Sequence, residues 1–531
     1  MIKKIRIKNY KIFQDFKMDL NEGLNIIVGD NEAGKSTILE AINLALTKRL
    51  NGRPVEYEIT PYMFNTTCVK QYLALLKSGK NPPLPELIIE LYLQETADIA
   101  SYTGSMNVQR ENCCGIKIEI VFDEDNRPEY CELVKDPSKI QAIPVEFYKV
   151  QWYTFAHGEV NYRRLPVRVS YIDATTIRLQ SGADYYLQDI IRTELDSKER
   201  AGLNIAYRHL KEEFSKQGAI GEINAQLKNK KGAITNKKLA ISIDISQRSN
   251  WETTLTPHLD DLPFQLIGKG EQNALKIMLA LDRKADEANV ILIEEPENHL
   301  SFSSMNTLVS KIKEKCGKKQ ILITTHSAYV LNKLGLENLV LLHNEKTTTL
   351  KNLSPDTQDY FKKLSGYDTL RVVLAKKSIL VEGPSDELVV QKAYVVKKGK
   401  LPIEDGVDVV NVRGLSFSRF LDISKELGTA TVVVTDNDGD YENKVDAKYV
   451  DYEKYKNILI CRSDNNSLKT LEPQLASVNT LEKMNGVLGK QFTDKTSLVE
   501  YMTANKTEAG LKMFETRESI NFPQYIHDAI A

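Results

Sequence analysis

Two groups of residues in this chain have the types and spacing needed to act on phosphate esters. The first begins with Gly29-Asp30-Asn31-Glu32-Ala33-Gly34-Lys35-Ser36, the GxxxxGKS/T spacing of a phosphate-binding loop. Its backbone N–H groups can converge on one anion, and a following helix adds the partial positive charge of its N-terminus. Gly29 and Gly34 permit backbone conformations and a close approach that a side chain would block. Lys35 can reach the β- and γ-phosphates of ATP and the Ser36 hydroxyl can ligate Mg²⁺, with Asn31 and Thr37 in the same nucleotide-binding set. Hydrolysis needs one carboxylate for the Mg²⁺ shell and another to polarise water. Glu294 and Glu295 supply such a pair: Glu294 for Mg²⁺ or its water shell, Glu295 for the attacking water. The usual first acid is aspartate, so Glu294 moves that contact outward by one methylene. His326, in Thr324-Thr325-His326-Ser327, falls where an imidazole can sense the γ-phosphate.

The second group is acidic. Glu382 follows the apolar run Ile379-Leu380-Val381, and Asp436-Asn437-Asp438 follows Val432-Val433-Val434-Thr435. Alternate residues of an extended strand end face one side, which predicts that Asp436 and Asp438 converge. With Glu382 they make a three-carboxylate, oxygen-rich pocket suited to Mg²⁺ or Mn²⁺. Two such ions could clamp the attacking and leaving oxygens of a phosphodiester.

These residues need strands that end at a turn. Leu24–Val28 precedes the phosphate loop and Thr37–Ile42 continues it as a helix. Val290–Ile293 and Gln320–Thr325 are continuous apolar runs, as fully buried parallel strands should be, with a helix over Ser304–Lys315 between them. Asn338–Leu342 continues the sheet. Before these, strands are expected at Glu86–Leu93, Ile116–Phe122, Phe147–Phe155 and Val167–Ile172, and residues 51–85 read as irregular. Tyr186-Leu187, Ile190-Ile191, Leu195, Leu203, Leu210 and Phe214 recur at helical spacing, either an ordinary helical layer or an insert that mediates dimer contacts. The turn Asn229-Lys230-Lys231-Gly232 ends it. Further strands are expected at Leu239–Ile245 and Phe264–Leu266, then a helix over Gln272–Arg283. A boundary near Leu364–Lys377 opens a second alternation: strands at Ser378–Val381, Val407–Val412, Thr431–Thr435 and Asn457–Ile460, with helices at Ser385–Lys397 and Ser416–Leu427. From about Asn479 the tail reads as helical.

At 531 residues the chain is too long for one core. Its 71 basic and 72 acidic residues leave a formal charge of −1, so contact with nucleic acid must use local basic patches or metal ions. Six cysteines without CxxC spacing point to reduced thiols and no zinc site. No run is long enough for a membrane span and the N-terminus lacks a signal-peptide core, so a cytoplasmic location is expected.

Gly268-Lys269-Gly270-Glu271-Gln272, just before a helix, resembles the signature motif of ABC-type ATPases, in which a second subunit caps the γ-phosphate. Lys269 stands where serine is expected; it either brings charge to the γ-phosphate or marks a degenerate half-site. A phosphate loop at 29–36 and acids at 294–295, with a helical insert between, resemble the RecF/Rad50/SMC branch. The run Glu294-Glu295-Pro296-Glu297-Asn298-His299-Leu300 looks like the OLD (overcoming lysogenization defect) version. Glu382 followed by Asp436 and Asp438 on a small parallel sheet resembles a Toprim domain, as in topoisomerases, primases and OLD nucleases. That resemblance implies Asp386 and Glu472 as further metal ligands, and Lys506, with Lys512 as the fallback, as the lysine that stabilises charge on the scissile phosphate.

The implied fold is α/β. An ABC-type ATPase head has its N-terminal lobe at 1–180, a helical insert at 181–235 and its C-terminal lobe at 236–370, followed by a Toprim domain at 371–531. The implied function is an ATP-regulated, Mg²⁺- or Mn²⁺-dependent DNA endonuclease of bacterial defence against phage. It would form a homodimer or higher homo-oligomer through the ATPase half, and a second defence component is open. The alternative is a DNA-binding ATPase scaffold with a non-catalytic Toprim module. A topoisomerase or primase would need a strand-passing tyrosine domain or a zinc ribbon, and neither is present.

Overall fold

The structure is a computed structural model describing residues 1–162, 165–173, 179–180, 183–184, 195–229, 239–244, 251, 258–282, 289–315, 318–343, 345–363, 369–413 and 416–531. The apolar pairs at 186–187 and 190–191, most of the turn at 229–232 and residues 364–368 of the boundary segment lie outside these. The chain divides into two compact units, Met1–Leu24 with Ser36–Thr324, and Asn25–Lys35 with Thr325–Ala531.

The first unit contains an antiparallel sheet in the order Phe13–Asp19, Ile2–Tyr10, Leu87–Leu93, Cys113–Phe122, with Tyr148–Thr154 on the last of these. Its register stacks apolar residues on one face: Ile7 pairs with Phe16 and Ile89, and Ile89 in turn with Ile118. That alternation is what a sheet with one buried face requires. Three parallel strands follow, Val169–Asp173, Val290–Glu294 and Gln320–Thr324. Val290–Glu294 is buried at every position because it lies between the other two. Helices Lys269–Asp282 and Phe302–Lys315 pack on one another.

The helical insert is present as Ser197–Ser215 and Gly218–Asn229, the first opened by a reciprocal capping box of Asp196 and Glu199. Three expectations differ from the structure. Residues 239–244 carry no regular structure, so Leu239–Ile245 is not a strand over its described part. Phe264–Leu266 is a turn of 3₁₀ helix, with Phe264 buried and Leu266 exposed, a spacing that a short strand also gives. Residues 51–85 contain the helix Thr66–Lys77, capped by Asn65, whose side chain accepts from the N–H groups of Thr67 and Cys68.

In the second unit the loop strand Leu24–Gly29 runs parallel to Leu339–His343, which pairs antiparallel with Lys346–Thr349. Beyond these stands a four-stranded parallel sheet in the order Val407–Asn411, Lys377–Val381, Ala430–Val434, Ile458–Cys461. Its apolar core takes Val389, Val390 and Ala393 from the helix Pro384–Lys398, and Tyr525, Ile526 and Ala529 from Gln524–Ala529. Parallel strands covered by helices place their carboxyl ends on one edge, where a site can form.

Candidate functional site

The phosphate loop is built as its residue types require. Leu24–Gly29 is buried throughout, and the helix Lys35–Thr47 begins directly after the turn. Gly34 sits at φ 101°, a conformation that side chains disfavour. Gly29 is small for a different reason: a Cβ there would stand 2.5 Å from the Leu342 carbonyl oxygen of the neighbouring strand. Lys35 is 7% exposed and its ammonium donates to the carbonyls of Gly29 and Asp30, 2.9 Å each. Asn31 and Ser36 are exposed and Thr37 half-buried. His326 is exposed after the end of Gln320–Thr324, just before Ser327, which caps the helix Ala328–Leu334.

In the first unit Glu294 and Glu295 occupy different environments. Glu294, 9% exposed at the end of its strand, accepts a hydrogen bond from the Tyr171 hydroxyl at 2.7 Å. Burial, and then Glu294, push the Tyr171 hydroxyl far above the ordinary tyrosine range. Glu295 adopts φ 45°; its N–H donates to the Thr324 carbonyl and its carboxylate accepts from Asn298 at 2.7 Å. Holding a non-glycine residue in this region costs free energy. Gly268 and Lys269 are exposed at the start of Lys269–Asp282, with Gly268 accepting from the N–H groups of Glu271 and Gln272. Gly270 faces the loop after Glu295: an added Cβ would come within 2.0 Å of the His299 carbonyl. Asn273 donates to the Asn298 carbonyl.

The second unit gathers acids at the carboxyl edge of its four-stranded sheet. Glu382 follows Lys377–Val381 and Asp436 follows Ala430–Val434, adjacent parallel strands. Thr435 donates its hydroxyl to Glu382 Oε1 at 2.8 Å, and the Asp436 N–H donates to the same oxygen at 3.3 Å. Asp386, in the first turn of Pro384–Lys398, accepts from the Gly383 N–H at 3.0 Å. Glu472 opens the helix Leu471–Val478, is 3% exposed, accepts from Thr470 at 2.6 Å and pairs with the Lys506 ammonium at 3.2 Å. Lys506 begins Lys506–Glu515, whose Gly510 lies against Ser385, so close helix packing delivers the lysine.

These charges act on one another. Burial, then Asp386, Glu382 and Glu472, carry the Asp436 carboxyl up to about 8; burial, then Glu382, carry Asp386 to about 6. Burial alone would lower the Lys506 ammonium, but Glu472, Asp436 and Asp386 outweigh it and hold it above its ordinary value. Lys512 is exposed on the same helix. Asp438 departs from the expected convergence. The strand ends at Val434, Asn437 turns inward to donate to the Ser463 and Asn465 carbonyls, and Asp438, at φ 48°, is exposed. The two-residue spacing fails because the chain is no longer extended there. Tyr525 joins them from the last helix: it is buried, and after burial itself the same four acids raise its hydroxyl further. Tyrosine is an ordinary core residue, so nothing in the sequence sets it apart.

Among the described residues no three acidic, histidine or cysteine side chains are gathered closely enough to hold an ion as they stand. The donor set nevertheless fits a hard divalent cation: all ligating atoms are oxygen, and Asp436, raised to about 8, keeps a proton near neutral pH that a cation would displace.

The fold is that of an ABC-type, RecF/Rad50/SMC-like ATPase head with a helical insert, fused to a Toprim-like domain. Family models match in the same order: an AAA ATPase domain at 1–143, an AAA domain described as putative AbiEii toxin of type IV toxin–antitoxin systems at 172–332, and an overcoming-lysogenization-defect-protein-like TOPRIM domain at 373–438. The chain is similar to an ATP/GTP phosphatase of Helicobacter pylori, 23% identical over 62% of this chain and 85% of the relative. It is similar to endonuclease GajA of Bacillus cereus, 21% identical over 82% of this chain and 74% of the relative. The OLD nuclease of Thermus scotoductus is 23% identical over 82% of each. The architecture therefore resembles OLD-family nucleases at low identity. Among the described residues no helix is long and apolar enough to cross a membrane.

Proposed function

We propose that this protein is an ATP-regulated, divalent-metal-dependent DNA endonuclease acting in defence against phage. One observation carries the reading: Glu382, Asp386, Asp436 and Glu472 lie near enough at the carboxyl edge of the Toprim-like sheet to act on one another's charge, and Glu472 pairs with Lys506, in a chain that also carries an ABC-type ATPase head. The four acids would hold one or two ions. A bound ion supplies Lewis acidity at a phosphodiester oxygen. Lys506 would place a positive charge at the scissile phosphate, and Thr435 and Gly383 would keep Glu382 and Asp386 in fixed rotamers. In the ATPase half, Lys35, Ser36, Glu294, Glu295 and His326 would bind and turn over Mg²⁺-ATP. Exposed Gly268 and Lys269, at the start of Lys269–Asp282, would with Gly270 cap nucleotide on a second copy, in a homodimer or higher assembly. A second defence component would fit the same scheme.

The test is nicking and linearisation of supercoiled plasmid with Mg²⁺ or Mn²⁺, by wild type, Lys35→Ala and Asp436→Ala, each with and without ATP. Asp436→Ala should abolish cutting with ATP hydrolysis intact, and Lys35→Ala should remove only the response to ATP. Cutting unchanged in Asp436→Ala would sink the proposal. A second reading, a DNA-binding ATPase scaffold with a silent Toprim module, draws on the lack of a closely gathered metal set among the described residues. It requires that calorimetry find no metal binding lost in Asp436→Ala.

A further inference from the structure

The reading of Glu294 as the Mg²⁺-side acid leaves its extra methylene unexplained. A longer side chain has one more torsion to fix, and a carboxylate that must meet an ion or its water works only in a narrow range of positions. The structure holds a partner for it. Val169–Asp173 and Val290–Glu294 pair in parallel register, Tyr171 beside Leu292 and Asp173 beside Glu294, so Tyr171 lies on the sheet face of Glu294. Its side chain extends forward by two residues and donates its hydroxyl to Glu294 Oε2 at 2.7 Å. Among the described residues Glu294 Oε1 has no hydrogen-bond partner. A similar pairing lies nearby: Tyr10 donates its hydroxyl to Glu40, one turn beyond Ser36 on Lys35–Thr47, and Lys11 pairs with the same oxygen at 2.5 Å.

We propose that Tyr171 is a positioning residue for the ATPase site: its hydroxyl fixes the Glu294 carboxylate through Oε2, aims Oε1 at Mg²⁺ or its water, and so makes glutamate serve where an aspartate is usual. A neutral donor suits this task, because it selects one rotamer without cancelling the negative charge that the ion needs. Lysine in the same place would bind the carboxylate more strongly and compete with the metal. The inference rests on the nucleotide-hydrolysing reading of the first unit and is independent of the Toprim site.

The measurement is the Mg²⁺ concentration that gives half-maximal binding of a fluorescent ATP analogue, in the full chain carrying Glu295→Gln to block turnover. Tyr171→Phe should raise that concentration about tenfold, as loss of a group that orients a metal ligand does, while nucleotide affinity in EDTA stays within about twofold. In a Glu294→Asp background the same substitution should change it by less than about twofold, because the shorter acid does not reach the hydroxyl. An unchanged Mg²⁺ requirement in Tyr171→Phe, or an equal change in both backgrounds, overturns the proposal. Glu294→Asp with Tyr171 intact is the second test, independent of how the phenylalanine variant folds. A Mg²⁺ requirement within about threefold of the parent supports the proposal, and a rise of about tenfold or more overturns it. If the parent binds no nucleotide with or without Mg²⁺, the nucleotide-site reading falls and this inference with it. Binding whose Mg²⁺ dependence ignores Tyr171 defeats the positioning role alone.

Discussion

Asp436 and Asp386 are acids whose burial beside other acids raises their carboxyls. Asp436, carried up to about 8 by burial and by three neighbouring acids, keeps a proton in the metal-free folded chain that it loses near 4 when unfolded. Between those values the folded state binds more protons than the unfolded state, so this group's contribution to stability falls as pH rises, by at most about 1.4 kcal/mol per pH unit. In EDTA the melting temperature should therefore drop from pH 5.5 to pH 8, and Asp436→Asn should flatten that drop. With saturating Mg²⁺ or Mn²⁺ the proton is displaced. Calorimetry at pH 7 in buffers of different ionisation enthalpy should then report close to one proton released per Asp436 engaged. Lysines in the same region separate as sharply. Lys506→Met should lower plasmid cutting by about a hundredfold, whereas exposed Lys512→Met should leave it within about twofold.

At the scale of elements, glycine marks where backbones touch. Gly270 lets the helix Lys269–Asp282 approach the loop after Glu295, and Asn273 bonds the same loop. Gly270→Ala should destabilise that packing by about 1–3 kcal/mol and reduce ATP hydrolysis with it, read by thermal melting and by phosphate release. Asn65→Ala removes the cap of the Thr66–Lys77 helix together with the bonds that Asn65 donates to the Lys11 and Ile12 carbonyls. A loss of about 2–4 kcal/mol, read by thermal melting, is expected. Sequence and structure agree best for parallel strands. Val290–Ile293 and Ile379–Val381 are buried on both faces, and a strand of that kind must be a continuous apolar run. They agree least where a short segment has mixed polarity: Phe264–Leu266 and Thr66–Lys77 take form from a local cap or from packing that pattern alone does not carry.

Across the whole molecule, an ATPase head and a Toprim-like domain share one chain, and the proposed coupling runs from nucleotide to cutting. Metal titration of the full chain should resolve two classes of site, one lost in Asp436→Ala and the other dependent on nucleotide and lost in Glu294→Ala. The sequence by itself determined the order of the two folds, the phosphate loop, the adjacent acids at Glu294-Glu295 and the strand-end acids Glu382 and Asp436. The loop and the acids are residue types at fixed spacing beside a buried strand, and such features are written locally. Tertiary structure decided what depends on distant segments meeting. Lys506 and Glu472 come together through helix packing, and Asp438 turns out to solvent because Asn437 is tied to the Ser463–Asn465 segment. Tyr171 finds Glu294 across more than a hundred intervening residues, its hydroxyl bonded at 2.7 Å. A contact that closes a long loop leaves no periodicity in the chain, because its free energy depends on where two remote elements come to rest.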